Sequence, residues 1–455
     1  MTPITAHQLA KIIGAMIVAG DPLALAHAGV STDTRRLVEG CVFFALRGGN
    51  FDADIFAPQA LEQGAAIVVV SSWQGGEPVK GAVLVVDDTL TALQNLATWW
   101  RHQLQPHVVA LTGSNGKTST KDFTAAVLAQ HYVVNATRGN LNNHIGLPLT
   151  VLATTPEHTA AVFEMGMNHA GEIAPLAAIA RPQIAIITNI GSAHIEFLGS
   201  REAIAREKAA IAAGLTERDV LIVPHDCDFI ELITSLTRAR IVSTGSETDT
   251  VRAENVHEKN GGACFSLVID GQGSAEVELP VAGRHMVANA LLAAAAGYLL
   301  EVPLQNIAAG LSQAVLTSGR LRRFVSRSIT VFDDTYNANP ESVIAGLETL
   351  AQTPVAAQGS RYAVLGRLAE LGEHELDGAR RIGSCIVKNG LSAIAVGEGA
   401  DLISRHAGPN ARHFANRSEA ADYLKQTLQA GDAVMFKGSR ISAMELLMKE
   451  IFPTN

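Results

Sequence analysis

The stretch VVALTGSNGKTSTKDFTAAVL, residues 108–128, decides the fold of this chain. An apolar run of strand-forming residues leads into a short loop with glycines at 113 and 116, and a helical pattern follows at once. The two glycines allow backbone N–H groups to converge on an anion, and the helix N-terminus adds a partial positive charge. This order of strand, loop and helix predicts a phosphate-binding loop at the edge of a parallel sheet.

The loop departs from the full phosphate-loop pattern in one place. That pattern needs a glycine five positions before Gly116, where this chain has Leu111. Lys117 can still reach the β and γ phosphates of a nucleotide, and Thr118 can hold Mg²⁺. A chance GKT is the alternative, which the flanking strand and helix disfavour. We expect ATP to be bound by Thr112, Gly113, Ser114, Asn115, Gly116, Lys117 and Thr118.

Length and composition indicate a globular protein of several domains. The chain has 455 residues, of which 47% are hydrophobic and 17% charged, so it has ample apolar surface to bury. At roughly 100–200 residues per domain, this length predicts about three domains. The net charge is −9 and no run of Lys or Arg occurs, which argues against a nucleic-acid partner.

The N-terminal segment and the cysteines bear on the cellular compartment. The first residues carry no basic region, and the apolar run IIGAMIVAG is too short for a signal or membrane segment. Residues 287–302 form a longer apolar run that contains Asn289 and Glu301, and they predict a buried helix. Four cysteines lie far apart without metal-site spacing, which disfavours disulfides and structural zinc. We therefore expect a cytoplasmic protein without a membrane span.

Strand and helix patterns divide the chain into three α/β blocks. Residues 1–85 form a small unit, and a helix over 86–106 connects it to the next block. Residues 107–315 alternate near-continuous apolar strands with helices, which is typical of a parallel sheet covered on both faces. Within this block, residues 250–280 predict antiparallel hairpins with turns at 261 and 271. Residues 316–455 repeat a doubly wound alternation.

Two polar side chains follow neighbouring strands of the predicted central sheet. Glu164 ends the strand AAVFE, and His194 comes just after the strand IAIITNIG. Ligands of open α/β sheets bind at this edge, and Mg²⁺ prefers oxygen ligands, so Glu164 is a candidate metal ligand. A loop cap is the alternative for Glu164, and a structural role is the alternative for His194.

Further candidates lie later in the chain. Asn289 begins a buried helix, where either an adenine edge or a backbone carbonyl would satisfy its amide. Arg320 and Lys437 could bind phosphate or an acidic substrate, although such side chains are usually only solvated. In the loop DDTYNANPES, Asn339 can cap a helix that starts at the following proline. The nearby polar residues exceed what a cap requires; they are Asp334, Tyr336 and Asn337.

With these motifs assembled, the chain resembles the Mur ligase family of ATP-dependent, amide-forming enzymes. The loop TGSNGKT matches the shortened family form T-G-[ST]-x-G-K-[ST], and the YNANP and KGSR segments add to the likeness. The resemblance implies an α/β fold of three domains: an N-terminal UDP-precursor-binding domain, a central P-loop mononucleotide-binding parallel sheet, and a C-terminal Rossmann-like doubly wound sheet. It also implies a monomeric ligase that joins D-alanyl-D-alanine to UDP-N-acetylmuramoyl-tripeptide through an acyl phosphate, in peptidoglycan precursor synthesis.

The resemblance further implies roles for individual residues. Lys117 and Thr118 would bind the triphosphate and Mg²⁺. Glu164 and His194 would bind the metal. The nucleotide would also contact adenine-facing Asn289, phosphate-facing Arg320 and ribose-facing Asp334. Substrate contacts would come from Ser31, Arg35, Asn143, Tyr336, Asn337 and Asn339.

Lys208 falls where some members of the family carry a carbamylated lysine that binds a second Mg²⁺. A plain lysine at this position would instead neutralise phosphate charge. On either interpretation we place Lys208 among the catalytic candidates, together with Lys117, Glu164, His194 and Arg320.

Three positions depart from the family pattern, and two other classes of protein stay open. FDADIF at 51–56 replaces F-D-G-H-[DE]-F, Met286 replaces a common Asn, and Arg367 and Leu368 replace Asp-Met. The alternatives are a sister ligase with another acceptor, such as a tripeptide-forming or folylpolyglutamate enzyme, and a P-loop kinase or regulatory NTPase. The YNANP loop disfavours the sister ligases, since D-Y-A-H-x-P and D-N-P-R are absent.

Overall fold

The computed structural model describes residues 1–49, 51–76 and 80–453. Over these residues three main β-sheets follow one another along the chain, and helices lie between successive strands. Most neighbouring strands within the main sheets are parallel, as expected when strands are apolar over their whole length and buried on both faces. The structure thus confirms the α/β fold class.

The N-terminal part contains a five-stranded sheet in the order β2-β9-β8-β5-β4. Only β2 is antiparallel to its neighbour. The strands here are Ile4–Thr5 (β1), Met16–Gly20 (β2), Leu25–Ala26 (β3), Val30–Ser31 (β4), Val42–Phe44 (β5), Arg47–Gly48 (β6), Phe51–Asp52 (β7), Ile67–Val70 (β8) and Ala82–Val85 (β9). The helices are Ala6–Ile13 (α1) and Ala57–Glu62 (α2), with 3₁₀ turns at Thr34–Arg36 and Ala53–Phe56.

The predicted connecting helix forms over Thr89–His102 (α3). Its start is set by Asp88, whose side chain accepts a hydrogen bond from the Leu90 N–H. Near its end, the Trp100 indole donates to the Thr154 carbonyl at 2.8 Å, and the Arg101 Nε donates to the Ala180 carbonyl at 2.8 Å. These bonds fasten α3 to the part of the chain that follows it.

The middle part is built on a six-stranded, fully parallel sheet in the order β11-β12-β10-β13-β14-β15. Its strands are His107–Thr112 (β10), Val134–Ala136 (β11), Ala160–Glu164 (β12), Ile184–Ile187 (β13), Val220–Pro224 (β14) and Arg240–Thr244 (β15). The associated helices are Lys117–Leu128 (α4), Gly146–Leu152 (α5), Ile173–Ala180 (α6), Ile195–Leu198 (α7), Arg201–Ala209 (α8) and Ile230–Ser235 (α9), with a 3₁₀ turn at Ala210–Ala212. The strand β10 runs near the centre and delivers the predicted phosphate loop to the sheet edge.

A three-stranded antiparallel sheet follows, as the turn pattern over 250–280 predicts. It comprises Val251–Lys259 (β16), Gly262–Ile269 (β17) and Gly273–Glu278 (β18), and the helices Arg284–Leu299 (α10) and Leu304–Ser312 (α11) come next. Helix α10 is the predicted buried helix, and it packs along α4. Within the described ranges, no helix is long and apolar enough to cross a membrane.

The C-terminal part has a six-stranded sheet in the order β19-β20-β24-β21-β22-β23, parallel except for β19. Its strands are Arg322–Ser326 (β19), Ile329–Asp334 (β20), Arg361–Gly366 (β21), Ser392–Val396 (β22), Arg412–Phe414 (β23) and Ala433–Lys437 (β24). The helices are Pro340–Gln352 (α12), Glu375–Lys388 (α13), Asp401–Ser404 (α14), Arg417–Thr427 (α15) and Met444–Ile451 (α16), with 3₁₀ turns at Gly372–His374 and Arg440–Ser442.

Candidate functional site

A cavity of about 730 Å³ lies where strand ends of the middle and C-terminal sheets face each other. Ligands of open parallel sheets bind at this position, because loops and helix N-termini gather there. Thirteen of the predicted residues line the cavity: Ser114, Asn115, Gly116, Lys117, Asn143, Glu164, His194, Asn289, Arg320, Asp334, Tyr336, Asn337 and Asn339. Residues far apart in sequence therefore meet around one space.

The phosphate loop has the backbone geometry that only glycine tolerates well. Gly113 has φ 155° and Gly116 has φ 78°. A Cβ at Gly113 would overlap the Thr188 hydroxyl, and a Cβ at Gly116 would lie 2.4 Å from the Asn289 Oδ1. Lys117 donates from Nζ to the Gly113 carbonyl at 2.7 Å, so its side chain folds back onto the loop. The loop thus forms a closed turn at the N-terminus of α4.

The residues after β13 hold this loop from the side. The Asn115 N–H donates to the Asn189 Oδ1 at 2.8 Å, and the Thr188 hydroxyl donates to the Asn115 carbonyl. Ser114 accepts from the Gly191 N–H at 2.8 Å. Sequence reasoning missed Thr188 and Asn189. Both directly follow the buried strand β13, so the strand-end argument that identified Glu164 and His194 could have identified them as well.

Buried positive charge surrounds the loop. Burial lowers the pKa of Lys117; the negative charge of Glu164 counteracts this, and the positive charge of Arg320 adds to it. Lys208 on α8 is only 1% exposed, and burial, with Lys117 nearby, puts its pKa well below the ordinary lysine value. No ion pair or hydrogen bond joins the Lys208 ammonium to another residue of the described ranges. Three cations, Lys117, Lys208 and Arg320, are thus gathered at the phosphate loop, with Glu164 as the carboxylate that acts on Lys117.

Several buried polar atoms of the site have no hydrogen-bond partner, and those of Arg320 and Glu164 are the most informative. The Arg320 Nη2 donates to the Thr118 hydroxyl at 3.2 Å, but its Nε is buried without an acceptor. Glu164 accepts at Oε1 from the Asn142 Nδ2 at 2.8 Å, while its Oε2 is buried without a partner. Buried polar groups are nearly always satisfied in folded proteins, so these atoms indicate where a ligand belongs.

The donor set around Glu164 suits Mg²⁺. The carboxylate ends β12 and is 2% exposed, and the Thr118 hydroxyl is also buried. In the part of the chain that the structure describes, no group of three or more His, Cys, Asp or Glu side chains could hold a metal by itself. Mg²⁺ commonly takes one or two carboxylates and completes its shell with phosphates and water, so this sparse oxygen set fits that ion.

His194 stands at the same edge, on the other side of β10 from Glu164. It adopts the left-handed conformation with φ 64° just before α7. Its Nδ1 lies 2.6 Å from the Glu370 Oε2 of the C-terminal part, within ion-pair distance. The imidazole lowers the pKa of the Glu370 carboxyl. Glu370 follows β21 in the loop RLAELG, and strand-end reasoning could have identified it.

The C-terminal sheet contributes an ion pair and a stacked pair of side chains. The Asp334 Oδ2 lies 2.6 Å from the Lys437 Nζ, and the same ammonium donates to the Asn337 carbonyl at 3.0 Å. Lys437 is 3% exposed, so it is not merely solvated. The Arg320 guanidinium lies 3.9 Å from the centroid of the Tyr336 ring, within cation–π range.

Asn339 connects the C-terminal part to the phosphate loop. It caps α12, whose first residue is Pro340, as the sequence predicts. Its Nδ2 also donates to the Asn115 Oδ1 at 2.7 Å. Two residues further, in the first turn of α12, Glu341 accepts from the Ser192 hydroxyl at 2.8 Å. Sequence reasoning missed this second contact, because nothing in a helix sequence shows which loop its first turn faces.

Two amides of the site differ in their surroundings. Asn143 lines the cavity, but its Oδ1 is already occupied, since it accepts from the Gly146 N–H at 2.9 Å and from the Ile145 N–H at 3.2 Å. The neighbouring Asn142, which the sequence did not single out, is the residue that contacts Glu164. Asn289 packs against Gly116 and donates only to the Met286 sulfur at 3.8 Å, a weak acceptor.

The remaining predicted residues lie off the cavity surface. Thr112 ends β10, Gly113 begins the loop, Thr118 lies in the first turn of α4, and Lys208 lies in α8, and none of the four lines the cavity. In the N-terminal part, Ser31 donates to the Asp33 carbonyl at 3.0 Å. Arg35 pairs with the Asp33 carboxylate at 2.9 Å and is 87% exposed. These last two residues are therefore not brought together with the nucleotide loop.

The FDADIF segment contains an ordered carboxylate. Asp54 accepts from the Ser71 hydroxyl at 2.7 Å and from the Ser72 N–H at 2.9 Å, and it pairs with Arg47 at 2.9 Å. Its side chain is 8% exposed. The hydrogen bonds and the ion pair of Asp54 thus fix this segment within the N-terminal part, although its sequence departs from the family pattern.

Comparison with known proteins gives a consistent result. The family model described as the Mur ligase middle domain matches residues 111–297, and that of the Mur ligase glutamate ligase domain matches residues 319–440. The UDP-N-acetylmuramoyl-tripeptide–D-alanyl-D-alanine ligase of Escherichia coli (strain K12) is 37% identical over 99% of both chains. A crystal structure of MurF from Acinetobacter baumannii superimposes with a TM-score of 0.92 at 35% identity, over 100% of both chains. MurF ligase from Thermotoga maritima in complex with ADP gives 0.82 at 26% identity, over 93% of this chain and 96% of that one.

Proposed function

The chain belongs to the Mur ligase family, and we propose that it joins D-alanyl-D-alanine to UDP-N-acetylmuramoyl-tripeptide at the expense of ATP. It is an amide-forming ligase of peptidoglycan precursor synthesis, and it acts as a monomer in the cytoplasm. The observation that carries the nucleotide site is the cluster of Lys117, Lys208 and Arg320 at the phosphate loop, together with the unpartnered Arg320 Nε. A triphosphate supplies anionic oxygens for these cations and the missing acceptor.

The domain limits are part of the same proposal. An N-terminal precursor-binding domain covers 1–85, a connecting helix 86–106, the ATPase domain 107–315 and a Rossmann-like domain 316–455. Each of the three main sheets falls inside one of these ranges, which supports the division.

The chemistry begins with activation of a carboxylate, which is a poor electrophile at neutral pH. The terminal carboxylate oxygen of the tripeptide attacks the γ-phosphorus of ATP, and the bond to the β,γ-bridging oxygen breaks to release ADP. Lys117 and the first-turn N–H groups of α4 stabilise the charge on the transferring group, because these amides have no intrahelical partner. Arg320 fixes the phosphates from the opposite side.

The acyl phosphate then reacts with the amine of D-alanyl-D-alanine. The amine nitrogen forms the new bond to the carbonyl carbon, a proton leaves the nitrogen, and inorganic phosphate departs. Tyr336, Asn337 and Asn339 orient the dipeptide, and Asn143 contacts the acyl end. Substrates bound to different domains must meet, so most of the rate gain comes from positioning.

The metal and nucleoside assignments follow the donor atoms. Mg²⁺, held by Thr118, Glu164 and His194, would neutralise charge on the phosphate oxygens. The Asn289 amide, whose acceptor in the described residues is the weak Met286 sulfur, hydrogen-bonds to adenine. Asp334 binds the ribose. Ser31 and Arg35 bind the UDP-sugar.

Lys208 acts next to the phosphates, as an ammonium or as a carbamate formed from its free amine and CO₂. Its lowered pKa increases the fraction of free amine, which is the form that reacts with CO₂. A ¹³C NMR spectrum of the protein in ¹³C-bicarbonate distinguishes the two, since only the carbamate adds a carbonyl resonance that Lys208→Ala removes.

The test of this function is release of ADP in the presence of each acceptor. Incubation with ATP and D-alanyl-D-alanine should give ADP only when the UDP-tripeptide is added, with either diaminopimelate or lysine as its third residue. Mass spectrometry of the product should show the pentapeptide. ADP release without acceptors would favour a regulatory NTPase, and a phosphorylated product without a new amide would favour a kinase.

A further inference from the structure

The linker between α11 and β19, residues 313–321, is bonded to the phosphate-loop helix at two points. The Thr317 N–H donates to the Asp122 Oδ2 at 2.8 Å, and the Arg320 Nη2 donates to the Thr118 Oγ1 at 3.2 Å. Thr118 and Asp122 are four residues apart on α4, so they lie on the same face one turn from each other. The only covalent connection between the middle and C-terminal parts therefore runs along the helix that begins at Lys117.

Asp122 is well placed to hold a backbone amide. Its side chain is 11% exposed, and its Oδ1 lies 2.6 Å from the Nζ of Lys121, whose side chain is 5% exposed. Lys121 in turn donates to the Thr137 carbonyl at 3.1 Å. The lysine balances the charge of the carboxylate and fixes its direction, and a hydrogen bond to a charged acceptor is stronger than one between neutral groups.

The same chain of contacts reaches the candidate metal ligand. The Thr137 Oγ1 accepts from the Glu164 N–H at 2.9 Å. Glu164, Thr137, Lys121, Asp122 and Thr317 are thus joined by successive bonds from the sheet to the linker. Asp122 itself is not part of the cavity lining, so it acts on the site through others.

The position of Arg320 depends on where the linker is fixed. The linker bulges outward at Val315, which is 89% exposed, and its far end is fixed at Leu321, which is 2% exposed and donates its N–H to the Asp334 Oδ1 at 3.1 Å. Beyond Arg320 the chain turns through Leu321, a non-glycine residue with φ 54°. The Gly319 carbonyl accepts from the Tyr336 N–H at 3.3 Å, and the Arg320 guanidinium lies over the Tyr336 ring. Release of Thr317 would leave the linker backbone held only from the C-terminal part, through Gly319 and Leu321, and no longer tied to α4.

We propose that Asp122 is a positioning residue of the ligase: its carboxylate fixes the linker at Thr317 and so holds Arg320 against Thr118 and Tyr336. This inference rests on the proposed function for its kinetic consequence, but not for its structural one. The carboxylate contacts neither substrate nor nucleotide. Asp122 instead fixes the position of Arg320, which binds the phosphates, and of the linker that joins the middle part to the C-terminal part.

The test compares Asp122→Ala with Asp122→Asn in the full-length protein. The asparagine keeps an oxygen for the Thr317 N–H and loses only the charge. In Asp122→Ala we expect amide exchange over 313–321 to be about tenfold faster and KM for ATP to rise about tenfold, the size of one lost charge-assisted bond. KM for the UDP-tripeptide should stay within about twofold, and Asp122→Asn should recover most of both effects. Asp422→Ala, an exposed mid-helix aspartate of α15, is the matched control.

The outcomes separate a positioning role from general damage. Unchanged linker exchange and an unchanged KM for ATP in Asp122→Ala would overturn the proposal. Equal losses for ATP and tripeptide together with a lower unfolding midpoint, not rescued by asparagine, would overturn it as well. If the wild type released no acceptor-dependent ADP, the proposed function would fail, while the exchange measurement would still decide whether Asp122 fixes the linker.

Discussion

The nucleotide loop around Lys117 and the N-terminal segment around Arg35 are both predicted to bind anionic groups, yet they are built differently. Lys117 is half-buried, and the charged groups that act on it, Glu164, Lys208 and Arg320, come from three other parts of the fold. Arg35 is 87% exposed and bonds to Asp33, only two residues away. In the first region the charged groups are already held in place by the fold without a ligand, whereas the second region is a local surface turn. Preformed charge in a water-excluded site stabilises a transition state far more than exposed charge does.

The substitution with the largest expected effect is Lys117→Ala, which tests whether the nucleotide loop carries the catalytic charge. We expect acceptor-dependent ADP release to fall about 1000-fold or more, because a preorganised cation facing the transferring phosphoryl group is removed. The measurement is a coupled ADP assay at saturating acceptors. Lys425→Ala, which removes a lysine paired with Glu450 on the surface, should leave the rate unchanged. Turnover near the wild-type rate in Lys117→Ala would refute the assignment of the whole loop.

The second substitution examines the unpartnered carboxylate oxygen. Glu164→Gln keeps the shape and the contact with Asn142 but removes the charge. We expect turnover to fall about 100-fold and the Mg²⁺ concentration for half-maximal rate to rise about tenfold, since the hard cation loses its carboxylate. A Mg²⁺ titration of the rate measures both effects, with Glu202→Gln on the exposed face of α8 as control. An unaltered Mg²⁺ requirement would remove Glu164 from the metal site.

For the exposed region the expected effect is small and confined to one substrate. Arg35→Ala should raise KM for the UDP-tripeptide about fivefold, the size of one solvent-exposed polar contact, and leave KM for ATP unchanged. Steady-state kinetics with each substrate varied in turn provides the comparison. Arg405→Ala, which breaks a similar surface pair with Asp401, should change neither constant. A larger effect on ATP than on the precursor would show that the two regions are not independent.

The smallest expected effect concerns stability and pH. Burial lowers the pKa of His285 to about 4, with Asp334 opposing and Lys437 reinforcing the shift. As pH falls below about 6.5, the unfolded chain takes up this proton first, so the free energy of unfolding decreases between pH 6.5 and 4. The ring lines the cavity and keeps part of its surface in water, so we expect about 1 kcal/mol rather than the full value of the shift.

Urea unfolding of wild type and His285→Gln at pH 7 and pH 4.5 measures this difference. The variant should lose about 1 kcal/mol less than the wild type over that range. His7→Gln, on the exposed face of α1, serves as the control. Identical pH dependence in wild type and His285→Gln would mean that the cavity around Asp334 is wetter than its contacts indicate.

The sequence predicted the interior strands of every main sheet. The apolar runs IVVV, AVLV and IAII form β8, β9 and β13, each with neighbours on both sides. Such strands are apolar throughout because both faces are buried. The strands that sequence reasoning missed in the three main sheets are their edges: β2, β4, β11, β15, β19 and β23. They are short, partly exposed or charged, as in RRFVS, so their pattern does not differ from that of a loop.

For the site, the sequence by itself determined which chemistry was possible. Glycines at 113 and 116, the lysine after them, and polar residues directly after buried strands are local features, and a local pattern is enough to predict them. Their roles in the reaction stay predictions until the variants above are measured.

Tertiary structure alone decided which of these groups meet. Asn142 rather than its neighbour reaches Glu164, Glu370 comes to His194 from the other sheet, and Asp122 receives the linker. Each contact joins residues about 20 to 200 positions apart, and a side chain's own neighbours in sequence do not specify such a partner. The physical reason is that strand order and helix packing fix the direction of a side chain, whereas periodicity fixes only whether it is buried.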